Sequence, residues 1–314
     1  MRNPKESYLK VFYDLRPAKQ IERKMMVDTL LRMSQGGFKI SDYQYTGFGS
    51  IYFVDFILLH KVLGLTNLLN VEYSAKIKRR VKFNSPFALI RHEFKPIGDV
   101  IPTLDRDMSH LLWLDYDDII NRSIIEDVVS ASAQLSRGSL LMVTVDVEPP
   151  AGPEGPEAWR SFFEDEVGQY LDAGLRVSEY SRSNLPALNA STLLNAIKAG
   201  LVGRPGISFH LLFNFVYKDG HRMLTIGGLI GGASEFRSLK ACNFDGLRFM
   251  RNGLDEGSYE IRVPRLTRKE RLYLDSFMPC AAKWRPRAFE MSSEDVAAYR
   301  EIYRFYPSFA ELLL

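Results

Sequence analysis

Apolar and polar positions change their period along the chain, and each change predicts an element. Ile21, Met25, Leu30 and Leu31 recur near helical spacing, which predicts a helix over 17–34, closed by Gly36-Gly37. From residue 42, short apolar runs alternate with helix-like stretches. The runs at 42–48, 67–73, 92–97, 110–116 and 140–147 read as strands, with helices at 52–63, 75–83, 100–104 and 119–135. This alternation predicts βαβ units, a mostly parallel sheet and helices on both faces. A Pro- and Gly-rich loop over 149–156 follows, then helices over 158–175 and 191–201. Two apolar runs, 207–217 and 221–230, flank Lys218-Asp219-Gly220, a terminal antiparallel hairpin. Beyond about 235 the pattern is helices with a connecting strand, ending in a helix that carries Tyr299, Tyr303, Phe305 and Tyr306 as packing surface. The expected organisation is a helical extension over 1–40, an α/β core over 41–234 and an extension over 235–314 packed on that core.

Composition narrows the class. At 314 residues and 46% hydrophobic content, the chain can bury a core without disulfides or structural metal. Cys242 and Cys280 lack CxxC spacing and read as thiols in a reducing compartment. The opening MRNPKESYLK has no apolar stretch, and no run approaches the ~18 apolar residues of a membrane span. A soluble, cytoplasmic protein without membrane contact is the expectation. A net charge of +3 neither requires nor excludes nucleic acid. The cations are clustered, though: Arg16, Lys19, Arg23 and Lys24; Lys76, Lys78, Arg79, Arg80 and Lys82; Arg262, Arg265, Arg268, Lys269 and Arg271. Such runs are solvated helix faces in the plain reading and phosphate-binding patches in the other, so nucleic acid stays a candidate partner.

Candidate chemistry gathers where strands should end. Tyr45-Thr46-Gly47-Phe48-Gly49-Ser50 lies at the turn from the first strand into the first helix of the core. Glycines there admit close backbone approach, and the helix start offers free N–H groups to an anion. Glu72 ends the second strand, where a carboxylate can accept from ribose hydroxyls. Gly98-Asp99 follows the third and can accept from an adenine amino group. Trp113-Leu114-Asp115-Tyr116-Asp117-Asp118 delivers carboxylates at the end of the fourth. His92, His110 and His210 fall at or within apolar strands without metal-ligand spacing and read as structural.

Over residues 43–148 these features resemble the class I S-adenosylmethionine-dependent methyltransferases, and the hairpin over 207–230 resembles that family's antiparallel strand pair. The resemblance implies a Rossmann-like fold and S-adenosylmethionine as cofactor. It implies a glycine loop, here Tyr45, Gly47, Phe48, Gly49 and Ser50, at the cofactor's amino acid part. It places Glu72, with Tyr73 beside it, at the ribose and Asp99 at the adenine. Asp115, with Tyr116, would line the site between cofactor and acceptor, and Asp115 is the candidate catalytic residue. The chain departs from the family at Tyr45, where an acid is usual, and at Ile51, where a third glycine is frequent. Bulky Tyr52 replaces the last glycine of a dinucleotide fingerprint, and no GxxxxGK[ST] string occurs.

A hydroxyl acceptor needs a base or a metal to take its proton. Asp115 with Asp146 or Glu148 forms a conceivable oxygen-ligand set for magnesium, but the asparagine usual in that arrangement has no counterpart, and no metal is expected. Asp115-Tyr116-Asp117-Asp118 does not match the [DN]PP[YF] of nucleobase methyltransferases, and Asn84-Ser85-Pro86-Phe87 precedes the third strand. The reading is therefore methyl transfer to oxygen on an unidentified acceptor. The alternative is the same fold without catalysis, binding nucleic acid or a protein partner. The acceptor and the oligomeric state, a homo-oligomer included, stay open.

Overall fold

The computed structural model describes residues 16–152 and 154–308; the first fifteen residues of the expected N-terminal extension lie outside the described residues. The elements are α1 (Pro17–Gln35), β1 (Gln44–Gly47), α2 (Val54–Leu63), β2 (Asn67–Val71), α3 (Lys78–Asn84), β3 (Ile90–Glu93), α4 (Ile97–Val100), β4 (His110–Ile119), α5 (Arg122–Gln134), β5 (Leu140–Asp146), α6 (Pro156–Val167), α7 (Leu185–Gly200), β6 (Ser208–Lys218), β7 (Arg222–Gly231), α8 (Ala233–Ala241), β8 (Tyr259–Ile261), α9 (Arg268–Asp275) and α10 (Ser293–Ile302).

The strands form one sheet in the order β3-β2-β1-β4-β5-β7-β6-β8. The first five pair in parallel, β7 is antiparallel to both β5 and β6, and β8 pairs in parallel with β6. This is the Rossmann-like sheet with an antiparallel hairpin that the alternating pattern predicts. The strand order reverses between β1 and β4. A parallel sheet opens a crevice at such a switch point, outside the carboxyl ends of the strands.

The sheet divides two apolar layers. One holds α1, α2, Ile77 and Val81, and residues of the C-terminal region from Leu239 to Phe305; the other holds α4, α5, α6 and α7. With both faces covered, β5 is buried at every position and reads as an apolar run interrupted only by Thr144 and Asp146. The extensions at either end share the first layer with the α/β core, so the changes of pattern near 40 and 234 are not gaps in the packing.

Several elements differ from the pattern's prediction. The helix expected over 158–175 stops at Val167, and that over 191–201 starts earlier, at Leu185. β4 runs on to Ile119, so Asp117 and Asp118 stay within a strand instead of leaving it. The last helix ends at Ile302, which leaves Tyr303, Phe305 and Tyr306 in the turn beyond it; Phe305 and Tyr306 still pack on the core.

Candidate cofactor and acceptor site

The bend after β1 is built by packing around missing side chains. A Cβ on Gly47 would lie 2.8 Å from Cζ of Tyr45, whose hydroxyl is nearer still, and one on Gly49 would lie 2.8 Å from both Asn70 Oδ1 and the Phe53 ring. The glycines thus make room for Tyr45, Asn70 and Phe53, and neither has the left-handed conformation. That conformation falls to Ser50 (φ 51°) and Phe53 (φ 53°), an uncommon state for residues with a Cβ. Asn70 pins the bend, its Oδ1 accepting from the Gly49 N–H at 2.7 Å. Sequence reasoning missed Asn70, because a polar residue in an apolar strand carries no address for its partner. α2 begins at Val54, and Phe53 before it provides no side-chain cap, which leaves N–H groups for an anion.

The sequence-predicted residues share the carboxyl rim. Phe48 meets Tyr116 edge-on at 5.6 Å, across the switch point between β1 and β4. The Tyr116 hydroxyl donates to Asp127 Oδ2 at 2.7 Å, and a Cβ on Gly98 would lie 2.7 Å from Asp127 Oδ1. Burial raises the Asp127 pKa; the Tyr116 hydrogen bond lowers it, and the Glu126 and Asp99 charges add to the rise. Contacts therefore link the bend, Tyr116 in the second half of β4 and the Gly98-Asp99 stretch of α4. Glu72 follows the last residue of β2, its N–H donating to the Glu93 carbonyl at 2.9 Å. Its Oε1 accepts from the Ser74 N–H at 2.9 Å, and burial raises its pKa above the ordinary carboxylate value. Tyr73 is exposed.

The second Glu72 oxygen and the exposed Asp99 carboxylate have no hydrogen bond or ion pair among the described residues, and both are acceptors for hydroxyl or amino groups. Phe48 and Tyr116 supply aromatic surface at the switch point between β1 and β4. A cavity of about 320 Å³ lies elsewhere, lined by Gln44 and Asn67, the first residues of β1 and β2, with Arg91 and Asp105.

Asp115 has a partner that the sequence did not disclose. Lys19 of α1 reaches it at 2.7 Å, Glu22 lies 2.8 Å from the same ammonium, and that ammonium stands 4.3 Å over the Trp113 ring. Burial alone would lower the Lys19 pKa, but Asp115 and Glu22 reverse this and raise it. Burial would raise the Asp115 pKa, and Lys19 brings it below the ordinary value. Glu22 is pushed upward by burial against the opposing pull of Lys19, with Asp115 adding to the rise. Beside them Arg23 pairs with Asp55 at 2.6 Å. The N-terminal cation cluster is thus no solvated face: Lys19 and Arg23 are buried, spent on acids of the core.

Farther along the rim, His221 at the hairpin tip places Nδ1 2.7 Å from Oδ2 of the buried Asp146. The Asp146 Oδ1 accepts from the Glu148 N–H at 2.8 Å, while Glu148 lies 3.3 Å from Lys218 and 3.4 Å from Arg182. The three acids considered for magnesium are each engaged by a side chain of the protein, and the described residues hold no cluster of three metal-ligating side chains. Asp146 stood in that set, but the sequence reading overlooked His221, a lone histidine after an Asp-Gly turn. Burial lowers the pKa of His92, His110 and His210, which disfavours their charged form; His92 hydrogen-bonds with Asn70 and Ser85, and His110 with the Asp105 carbonyl.

A family model described as "Putative O-methyltransferase" matches residues 11–314. No curated protein sequence matches the chain. Among solved structures, the plantazolicin methyltransferase BamL, in complex with a triazolic desmethylPZN analog and SAH, is 16% identical; 76% of this chain and 79% of that one are covered, at a TM-score of 0.40. An S-adenosylmethionine dependent methyltransferase from Mesorhizobium loti is 14% identical, with 61% and 92% covered and a TM-score of 0.39. The O-methyltransferase TomG from Streptomyces achromogenes, involved in tomaymycin synthesis and in complex with SAM, is 14% identical, with 65% and 80% covered and a TM-score of 0.36. No described helix is long and apolar enough to cross a membrane.

Proposed function

We propose a reaction from one premise: the chain belongs to the family described as "Putative O-methyltransferase", within the class I S-adenosylmethionine-dependent methyltransferases. The reading is methyl transfer from S-adenosylmethionine to a hydroxyl oxygen of an acceptor. The observation that carries it is the run of contacts joining the β1 bend, Tyr116 and the Gly98-Asp99 stretch of α4, on the rim where Glu72 follows the end of β2. When bound, the cofactor supplies an electrophilic methyl on a sulfonium.

The chain's own residues then divide the work. Tyr45, Gly47, Phe48, Gly49 and Ser50 form the bend at the cofactor's amino acid end, and the uncapped start of α2 favours its carboxylate. Glu72, flanked by Tyr73, accepts from the ribose hydroxyls, and Asp99 accepts from the adenine amino group. Phe48 and Tyr116 exclude water from the crevice. Asp115 borders the transferred methyl and is held ionised by Lys19. A carboxylate stabilised by an ammonium is a poor proton acceptor, so the base is His221. Asp146 orients that ring through Nδ1 and leaves Nε2 to take the acceptor proton. Neighbouring strands lie about 4.8 Å apart, so the start of β7, next to His221, lies about 10 Å from β4, which leaves room for an acceptor between Asp115 and His221.

Calorimetric titration tests the cofactor, and transfer of a labelled methyl into a cell extract tests the reaction. Saturable heat is expected, with His221→Gln cutting transfer about 10²–10⁴-fold while cofactor binding persists. No heat and no thermal shift at about 1 mM cofactor overturns the reading. One observation favours a binding protein without turnover: the space at Gly47 and Gly49 is filled by Tyr45, Asn70 and Phe53. Any cofactor-dependent transfer rejects that second reading.

A further inference from the structure

The three cation clusters of the sequence meet different fates. The first is drawn into the fold: Lys19 and Arg23 pair with Asp115 and Asp55, and Lys24 donates to the Tyr306 carbonyl. The third is partly engaged: Arg262 pairs with Asp295, and Arg271 donates to the Pro307 carbonyl. The second remains on the surface. Lys76, Lys78, Arg79, Arg80 and Lys82 are all exposed. Lys76, Arg79 and Lys82 have no ion pair among the described residues, and residues 73–92 contain six Lys or Arg and no Asp or Glu. A face shaped only for solubility would intersperse acids among so many cations.

Aromatic rings stand within this acid-free surface. Phe83, in the last turn of α3, is 88% exposed, and Tyr73, just before α3, is 60% exposed. Lys78 reaches back to within 5.1 Å of the Phe94 ring. Bare rings among unpaired cations match a single-stranded nucleic acid, whose bases stack on the rings while its phosphates meet the ammonium and guanidinium groups. A membrane surface fits less well. The aliphatic residues of the segment larger than alanine, Ile77 and Val81, are buried in the core, so α3 has no broad apolar face to insert.

We propose that α3 and its flanks, from Tyr73 to Phe83, bind single-stranded nucleic acid. The surface starts one residue after Glu72, so a bound strand lies beside the adenosine end of the rim. The inference does not depend on methyl transfer, because binding needs neither cofactor nor turnover.

The test uses the full chain with a labelled single-stranded RNA of about 20 nucleotides, DNA of the same sequence, and vesicles containing phosphatidylserine, at about 0.05 M salt. Anisotropy and co-sedimentation report binding, and circular dichroism reports folding. Saturable binding of a single strand is expected, and the preferred sugar identifies which nucleic acid it is. The triple variant Lys76→Glu, Arg79→Glu, Lys82→Glu should weaken binding at least about tenfold and flatten the logarithmic salt slope by about two. Phe83→Ala should weaken it about fivefold or more. Three results overturn the proposal: no binding to either strand, binding unchanged in the folded triple variant, or vesicles bound as tightly as the strand and released by the same substitutions. Should the triple variant fail to fold, Phe83→Ala and the wild-type salt slope decide, and a slope near zero or an unaffected Phe83→Ala overturns it.

Discussion

At the residue scale the bend after β1 shows that glycine serves the protein's own packing here. The Gly49 position is enclosed by Asn70, which is fully buried, and by Phe53, whose left-handed backbone starts α2. Neither neighbour is a flexible side-chain end, so an added methyl must displace the bend. Gly49→Ala is expected to lower stability by about 1–3 kcal/mol, checked by urea unfolding, and to abolish the heat of cofactor titration. A glycine in a turn is legible in a sequence, but its reason is not. Gly47 and Gly49 were visible as candidates, whereas Asn70 and Phe53, which explain Gly49, became visible only through contact. His221 is similar: Asp146 meets it across 75 residues, and no spacing rule joins the two.

At the element scale α1 is held over the rim by charge as well as by apolar burial. The Asp219 carboxylate, at the tip between β6 and β7, accepts from the Ala18 and Lys19 N–H groups at 3.0 and 2.8 Å, capping the helix from 200 residues away. Asp219→Ala should cost about 0.5–2 kcal/mol, measured as a shift of the urea midpoint at unchanged slope. Lys19→Met leaves Asp115 and Glu22 without their cation and should cost about 3–5 kcal/mol by the same measurement. α8 supplies a pH prediction. Burial would raise the Glu235 pKa, but the Gly232 N–H, the Ser234 hydroxyl and Arg137 bring it down to about 2. A depressed carboxylate adds stability above its unfolded value, and that stability is lost as pH falls through the folded value. Glu235→Gln should therefore be less stable than the parent at pH 7, and the gap should close between about pH 4.5 and about pH 2, followed by urea unfolding at stepped pH.

For the whole molecule, a ligand that binds only the folded chain stabilises it by mass action. S-adenosylmethionine at about 100 times its Kd should add about 2.7 kcal/mol and raise Tm by on the order of 5 °C in a thermal-shift series; a flat series contradicts cofactor binding. Burial explains why the fold was more legible than the site. Strands covered on both faces are predominantly apolar, so β5 and the hairpin strands stand out in the chain, and alternation with helices then dictates a parallel sheet. A functional rim has no such repeated signature. The sequence alone determined the alternating elements and the hairpin at the end of the sheet, because periodicity is a local property; it put Glu72 just beyond a strand but did not show that β4 runs past Asp115 to Ile119. Which acids stay available was decided only in the tertiary structure. Lys19 closes on Asp115 across 96 residues and His221 on Asp146 across 75, while Glu72 keeps one oxygen free of the described residues. Charge pairing acts through space, and a linear chain does not encode its distances until it has folded.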